Sequence, residues 1–371
     1  MTAVSPLLEP VTLGRLHLRN RIVMAPMTRE LCPQGIPGDD VAAYYARRAK
    51  GGTGLIITEG AAPDETGCFG SNVPRLFGRE ALAGWEKTVR SVHRHGAKIF
   101  AQIWHVGAFS PSLIGMQDSL PESLTRLSPS GLAAPDMLFG KAMDEAELSR
   151  TIRAFADAAA NARETGFDGV EIHGAHGYLP DQFLWSETNR REDDYGGGIE
   201  ARLRFPAELV QAIRDRTGQD FTISFRLSQW KQLQYSARLA ENPAMLADIV
   251  LPLKQAGVDM FHCSTRRFWE GEFAPDPRNL AGWVKDITGL PAITVGSVTL
   301  DTDFKAPTGK QAAAPAADHI ARLEAGVRAG EYDLVAIGRA LLANPDWVAK
   351  LAAGRMEDMV PFDRSMLEQL H

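Results

Sequence analysis

Apolar residues in this chain come in short unbroken runs separated by longer, helix-patterned stretches. The first four runs are Arg21–Ala25 (RIVMA), Gly54–Thr58 (GLIIT), Lys98–Ile103 (KIFAQI) and Gly169–Ile172 (GVEI). The last four are Phe221–Phe225 (FTISF), Val258–His262 (VDMFH), Ala292–Val295 (AITV) and Leu334–Ile337 (LVAI). Runs that do not alternate with polar residues predict strands buried on both faces, as in a parallel sheet. Each is followed by enough chain for a crossover helix. Eight strand–helix units in series predict one (β/α)8 barrel, a TIM barrel of the α/β class.

The intervening stretches carry helix signals. Asp144–Ala162 begins with acidic residues, which suit a helix N-terminus, and sets Leu148, Ile152 and Phe155 at helical spacing. Gly166 and Gly257 each stand just before a strand, as helix stops. His93 and His95 look like C-terminal caps before Gly96. Residues 1–371 read as a single barrel domain with three excursions. Residues 106–143, rich in Pro, Ser and Gly after the third strand, are expected to form a capping insertion. Residues 301–318, rich in Ala and Pro, are expected to be a flexible loop, and 346–371 a C-terminal helical tail.

Composition narrows the function classes. A net charge of −6 argues against nucleic acid or an anionic membrane as the main partner. No apolar run reaches membrane-spanning length, and the N-terminus lacks the basic and apolar regions of an export signal. Cys32, Cys68 and Cys263 are far apart, with no CxxC, which disfavours a structural zinc or iron–sulfur cluster and fits a reducing cytoplasm.

In such a barrel the chemistry sits where strands end. EIHGAHGY, residues 171–178, sets His173, His176 and Tyr178 at the end of the fourth strand. Two imidazoles and a phenol suit a site that grips an oxygen and delivers a proton. The alternative is a strand-end loop whose histidines only cap backbone groups. Gly296 and Ser297 after the seventh strand, with Gly338 and Arg339 after the eighth, suit a phosphate cradle, or two helix-start turns with a surface arginine. Gly196–Ala201 matches GxGxxA, but no strand precedes it, so it reads as a loop leading into a helix.

Taken together, NRIVMAPMTR (20–29), ITEG (57–60), QIWH (102–105), EIHGAHGYLPDQFL (171–184), NRREDDYGG (189–197), SFR (224–226), TVGSV (294–298) and AIGRALLANPDW (336–347) resemble the old yellow enzyme family. The resemblance implies an FMN-binding barrel that reduces the C=C bond of enones and other activated alkenes, with NADPH or NADH as hydride donor. It implies that Thr28 meets the flavin C4 carbonyl, Gln102 its pyrimidine edge and Arg226 the region of N1 and the C2 carbonyl. A cation there would stabilise the anionic reduced ring. Pro26, Met27 and Gly60 would line the ring, and Gly296, Ser297, Gly338 and Arg339 would hold the phosphate. His173 and His176 would grip the enone oxygen, and Tyr178 would protonate the α-carbon after hydride reaches the β-carbon from flavin N5. Many relatives have Asn where this chain has His176. Thr28 stands where some relatives have a redox-tuning cysteine, so thiol regulation is not expected there.

Trp104, Phe268 and Trp269 are candidate substrate walls, although Trp and Phe more often simply pack. The stretch Ser228–Gln232 departs from the shorter turns of better-known relatives and leaves the pocket size open. Larger relatives add an iron–sulfur cluster and a second nucleotide-binding domain, which three scattered cysteines argue against here. The expected partner is a small-molecule alkene, with the protein a monomer or homodimer. The main rival is a metal-dependent barrel hydrolase using His173 and His176, with His105 and His262 as further candidate ligands.

Overall fold

The computed structural model describes residues 5–121, 123–300 and 317–370. Eight parallel strands close into a barrel: β1 (Ile22–Met24), β2 (Leu55–Ala61), β3 (Lys98–Ile103), β4 (Gly169–His173), β5 (Thr222–Ser228), β6 (Met260–Ser264), β7 (Ala292–Val295) and β8 (Leu334–Ile337). Strands next to each other in sequence are next to each other in space. Closure comes from β8 beside β1, where Val335 is opposite Ile22. The strands begin within two residues of where the apolar runs predict, and β2, β5 and β6 continue to Ala61, Ser228 and Ser264. The extension of β2 includes a register slip against β3 between Ile57 and Gly60.

The crossover helices are α1 (Asp39–Lys50), α2 (Arg79–His93), α3 (Glu145–Thr165), then a short α4 (Leu179–Leu184) before α5 (Ile199–Thr217). They continue with α6 (Pro243–Ala256), α7 (Leu280–Thr288), α8 (Ala317–Arg328), α9 (Arg339–Ala343) and α10 (Trp347–Ala352). Asp144 caps α3 in a reciprocal box with Glu147, two 2.9 Å bonds that satisfy otherwise unpaired N–H groups. Gly166 ends α3 at φ +97° and Gly257 ends α6 at φ +118°, values that explain a glycine at both helix stops. Among the described residues, no helix is long and apolar enough to cross a membrane.

Three expectations change. His93 is not a helix cap; its Nε2 lies 2.8 Å from Asp168 Oδ2, just before β4. In the expected helical tail only α10 is α-helical, followed by single 3-10 turns at Met356–Asp358 and Arg364–Leu367. The Arg29 guanidinium holds that tail through the carbonyls of Met366, Leu367 and Gln369. Of the expected loop at 301–318, residues 301–316 lie outside the described residues, and Ala317 and Asp318 begin α8.

Strand alternation divides the core in two. One set of side chains, including Ile56, Ile99, Val170, Ile223 and Phe261, packs outward against the helices. The other fills the barrel. Its lower part is apolar (Val23, Leu55, Ile57, Phe100, Met260, Ile293) and is joined by Leu16 and Leu18 from an N-terminal hairpin. Burying each such side chain contributes roughly 1.5–3 kcal/mol. Nearer the C-terminal ends the inward positions turn polar. The Glu171 carboxylate there accepts from Gln102 Nε2 at 2.8 Å, Ser224 Oγ at 3.2 Å and His262 Nδ1 at 2.8 Å. Burial pushes Glu171 up, but His262, Arg226 and these bonds outweigh it, so its pKa lies below the usual value. Burial holds His262 below its usual value despite Glu171. The pair is therefore a carboxylate accepting from a neutral imidazole. It forms a fixed polar floor beneath the mouth of the barrel.

Candidate active site

A cavity of about 300 Å³ opens at the C-terminal end of the barrel. Most sequence-derived candidates line it. Pro26, Met27 and Thr28 follow β1, Gln102 lies in β3 with Trp104 just after it, and His173 ends β4 with His176 and Tyr178 beyond it. Arg226 comes from β5, Gly296 and Ser297 follow β7, and Gly338 and Arg339 follow β8. Residues over 300 positions apart in sequence thus share one wall, because the barrel brings every strand end to the same face.

The turn after β4 does most to shape the site. His176 has φ +66° and Gly177 φ +85°, so the chain reverses within two residues. That reversal gathers the three candidate groups. The His173 ring lies 5.0 Å from that of His176 and 4.9 Å from that of Tyr178, each edge to face. Trp104 stacks near His173 and meets Tyr178 edge-on at 5.0 Å. Phe109, from the start of the excursion after β3, closes the other side of Tyr178 at 5.3 Å. Tyr178 is also the N-cap residue of α4, and its carbonyl accepts the Gln182 N–H at 2.8 Å.

Electrostatics define what these groups can do. Burial, then the Arg226 charge, hold the imidazoles of His173 and His176 well below their usual pKa. Both are neutral near pH 7, and each can offer one N–H. Burial pushes the Tyr178 phenol up, while a bond to the Gln232 side chain and the charge of Arg226 work against it. Tyr178 therefore keeps its proton until something in the cavity takes it. His176 Nε2 lies 2.9 Å from Ser264 Oγ, which also accepts from Arg226 at 3.3 Å.

A buried carboxylate supports the segment that carries Thr28. Glu59 Oε2 accepts the backbone N–H of Arg29 at 2.9 Å and of Glu30 at 3.2 Å. Burial raises its pKa to about 7, against those two bonds.

Three candidates lie off the cavity wall. Phe268 and Trp269 pack against His319 of α8, at ring distances of 5.5 and 4.3 Å. The Phe268 N–H donates to the Gly296 carbonyl at 3.1 Å, and the Phe268 side chain is buried in the core. Gly60 sits at the β2 register slip, where a Cβ would come 2.5 Å from Trp104 Cε3, so its role is to admit that ring. In their place the cavity recruits Trp230, Gln232 and Ser264. Trp230 stacks on His176 at 4.1 Å and 22°. The only sequence signal for it was the unusual stretch directly after Arg226. Ser264 carried no signal beyond ending a strand.

The proposed ligands of a metal hydrolase are engaged elsewhere. His262 is paired with Glu171, and the His105 ring meets Thr66 and the Gly107 N–H. Among the described residues no group of three or more His, Cys, Asp or Glu side chains is arranged to hold a metal ion.

Comparison with known proteins agrees with this geometry. The model of the NADH:flavin oxidoreductase / NADH oxidase family matches residues 6–358. An NADH oxidase of Thermoanaerobacter brockii is 34% identical over 97% of this chain, although the chain spans only 52% of that relative's length. A putative 12-oxophytodienoate reductase of Oryza sativa subsp. japonica is 33% identical over 93% of this chain and 90% of its own. Among solved structures, morphinone reductase in complex with tetrahydroNAD superposes with a TM-score of 0.79 at 29% identity, covering 97% of this chain and 93% of that one.

Proposed function

This chain belongs to the NADH:flavin oxidoreductase / NADH oxidase family, and from that premise we propose that it reduces the C=C bond of small α,β-unsaturated carbonyl compounds. In this reading NADPH or NADH is the hydride source and Tyr178 the proton donor. The observation that carries it is the cluster of two neutral imidazoles and one protonated phenol around a single cavity, beside Arg226.

The residues present fit FMN. Thr28 offers a hydroxyl and Gln102 a carboxamide at the cavity, matching a ring edge that carries both donors and acceptors. Arg226 keeps a buried Nε with no partner among the described residues. Pro26 and Met27 are half-buried and Thr28 exposed, although they follow a central strand. Gly296 could not be larger, since a Cβ would lie 2.6 Å from Thr265 Oγ1, and it would hold the phosphate with Ser297, Gly338 and Arg339. When bound, FMN would take hydride from the nicotinamide and pass it to the alkene.

The chain's own groups do the rest. His173 and His176 donate to the carbonyl oxygen of the alkene, drawing electron density from its β-carbon. As neutral donors they stabilise the charge that develops on that oxygen without binding anions beforehand. Trp104 closes one side and excludes water. Tyr178 gives its proton to the α-carbon.

The test is Tyr178→Phe. It should retain FMN and its reduction by nicotinamide while alkene reduction slows roughly a hundredfold or more. Unimpaired alkene turnover would remove Tyr178 from the role of donor.

A further inference from the structure

The loop after β5 brings a second hydrogen-bonding group to the reactive end of Tyr178. Gln232 and Tyr178 line the same cavity, and the Gln232 side chain acts against the effect of burial on the phenol. Both partners hang on one buried ion pair. Lys231, next to Gln232, lies 2.6 Å from Asp181 of α4, the helix that Tyr178 caps. The other Asp181 oxygen accepts the Gly177 N–H at 2.7 Å, and the Gln232 N–H donates to the His176 carbonyl at 3.0 Å. On the strand side, the His176 N–H donates to Ser228 Oγ at 3.0 Å. The end of β4 and the loop after β5 are therefore latched together on either side of the phenol.

We propose that Gln232 is a positioning residue for proton delivery. It donates a carboxamide N–H to the Tyr178 oxygen, leaves the phenolic O–H free for the cavity, and stabilises the phenolate that remains. The proposal rests on the reading of Tyr178 as proton donor. A carboxamide could also turn its oxygen to the phenol, but that would tie up the proton to be transferred.

The step balances. Bound FMN, reduced by a nicotinamide dinucleotide, would supply the hydride that adds to the β-carbon, which leaves an enolate of the substrate. The Tyr178 O–H bond breaks, and the enolate's electron pair forms the new C–H bond at the α-carbon. Water then returns a proton to the phenolate. The charge on that oxygen is transient and buried, which is where a donor has most effect.

The experiment uses the FMN-loaded protein in single turnovers with cyclohexenone and NADPH. Gln232→Leu should slow alkene reduction roughly ten- to a hundredfold while leaving flavin reduction and the affinity for para-chlorophenol in place. In a Tyr178→Phe background the same change should cost nothing further. Gln232→Glu should be slow at neutral pH and recover as pH falls, because only the protonated carboxyl can donate. In the protein without flavin, fluorine NMR of fluorotyrosine at position 178 should shift in Gln232→Leu. An unchanged rate in Gln232→Leu alongside a slow Tyr178→Phe would overturn the role of Gln232 and spare Tyr178. A further loss on top of Tyr178→Phe, or an unmoved fluorine signal, would also overturn it. A fast Tyr178→Phe would remove both. If Gln232→Leu does not fold, the pH profile of Gln232→Glu decides, and a flat profile counts against the proposal.

Discussion

Ser264 Oγ stands 2.9 Å from His176 Nε2, so a hydroxyl at the end of β6 holds the ring of a residue that follows β4. Arg226 donates to the same oxygen, which links the cation and the imidazole through one hydroxyl. Ser264→Ala should release the His176 ring and weaken the grip on a phenol or enone oxygen by about 1 kcal/mol, roughly fivefold in affinity. Spectral titration of the flavin protein with para-chlorophenol measures this. Unchanged affinity would mean that Ser264 does not orient the His176 ring.

Trp230 covers the face of His176 and walls the cavity. Trp230→Ala should enlarge the site, so the ratio of kcat/KM for a bulky enone to that for cyclohexenone should rise about tenfold. The loss of packing should lower stability by about 3 kcal/mol. A selectivity ratio that stays put would place the steric limit elsewhere.

Lys231 and Asp181 are both out of solvent, so removing one strands the other. Burial lowers the Lys231 pKa and raises that of Asp181, and each partner offsets part of the other's shift. Lys231→Met or Asp181→Asn should each cost about 3–5 kcal/mol in urea unfolding. Lys231→Met combined with Asp181→Asn should cost less than the sum of the two. Strict additivity would show that the pair is not coupled.

Glu59 makes stability depend on pH. Its folded pKa of about 7 lies above the ordinary carboxyl value, so the folded protein holds a proton that the unfolded chain has released. Stability should therefore be greatest, for this group, below about pH 4.5 and fall as pH rises toward 7, by about 3 kcal/mol in all. Glu59→Gln keeps an oxygen for the Arg29 and Glu30 N–H groups and should flatten that slope. Urea midpoints at pH 5 and pH 8 for both proteins test it, and parallel pH profiles would be the contrary result.

The barrel was legible because its signal is local. β3, β7 and β8 have the bounds that their apolar runs predict, since a strand buried on both faces must be apolar along its length. His173, His176 and Tyr178 were legible because six residues contain all three. The N-terminal hairpin was not, because strands of three residues leave too short a pattern to read.

Phe268 and Trp269 teach the opposite lesson. Their type and their place after a strand suited a pocket wall, but both rings pack against His319, with Phe268 in the core. Gly60 suited contact with a ring and meets one, but the ring belongs to Trp104.

By itself the sequence determined the strand order, the family pattern and the reactive groups, because each is written in neighbouring residues. Only the tertiary structure decided which side chains surround those groups. Trp230 on His176, Gln232 on Tyr178 and Ser264 between Arg226 and His176 join positions 38 to 88 residues apart. Such pairings depend on the register of closed strands and the course of loops, which no local spacing encodes.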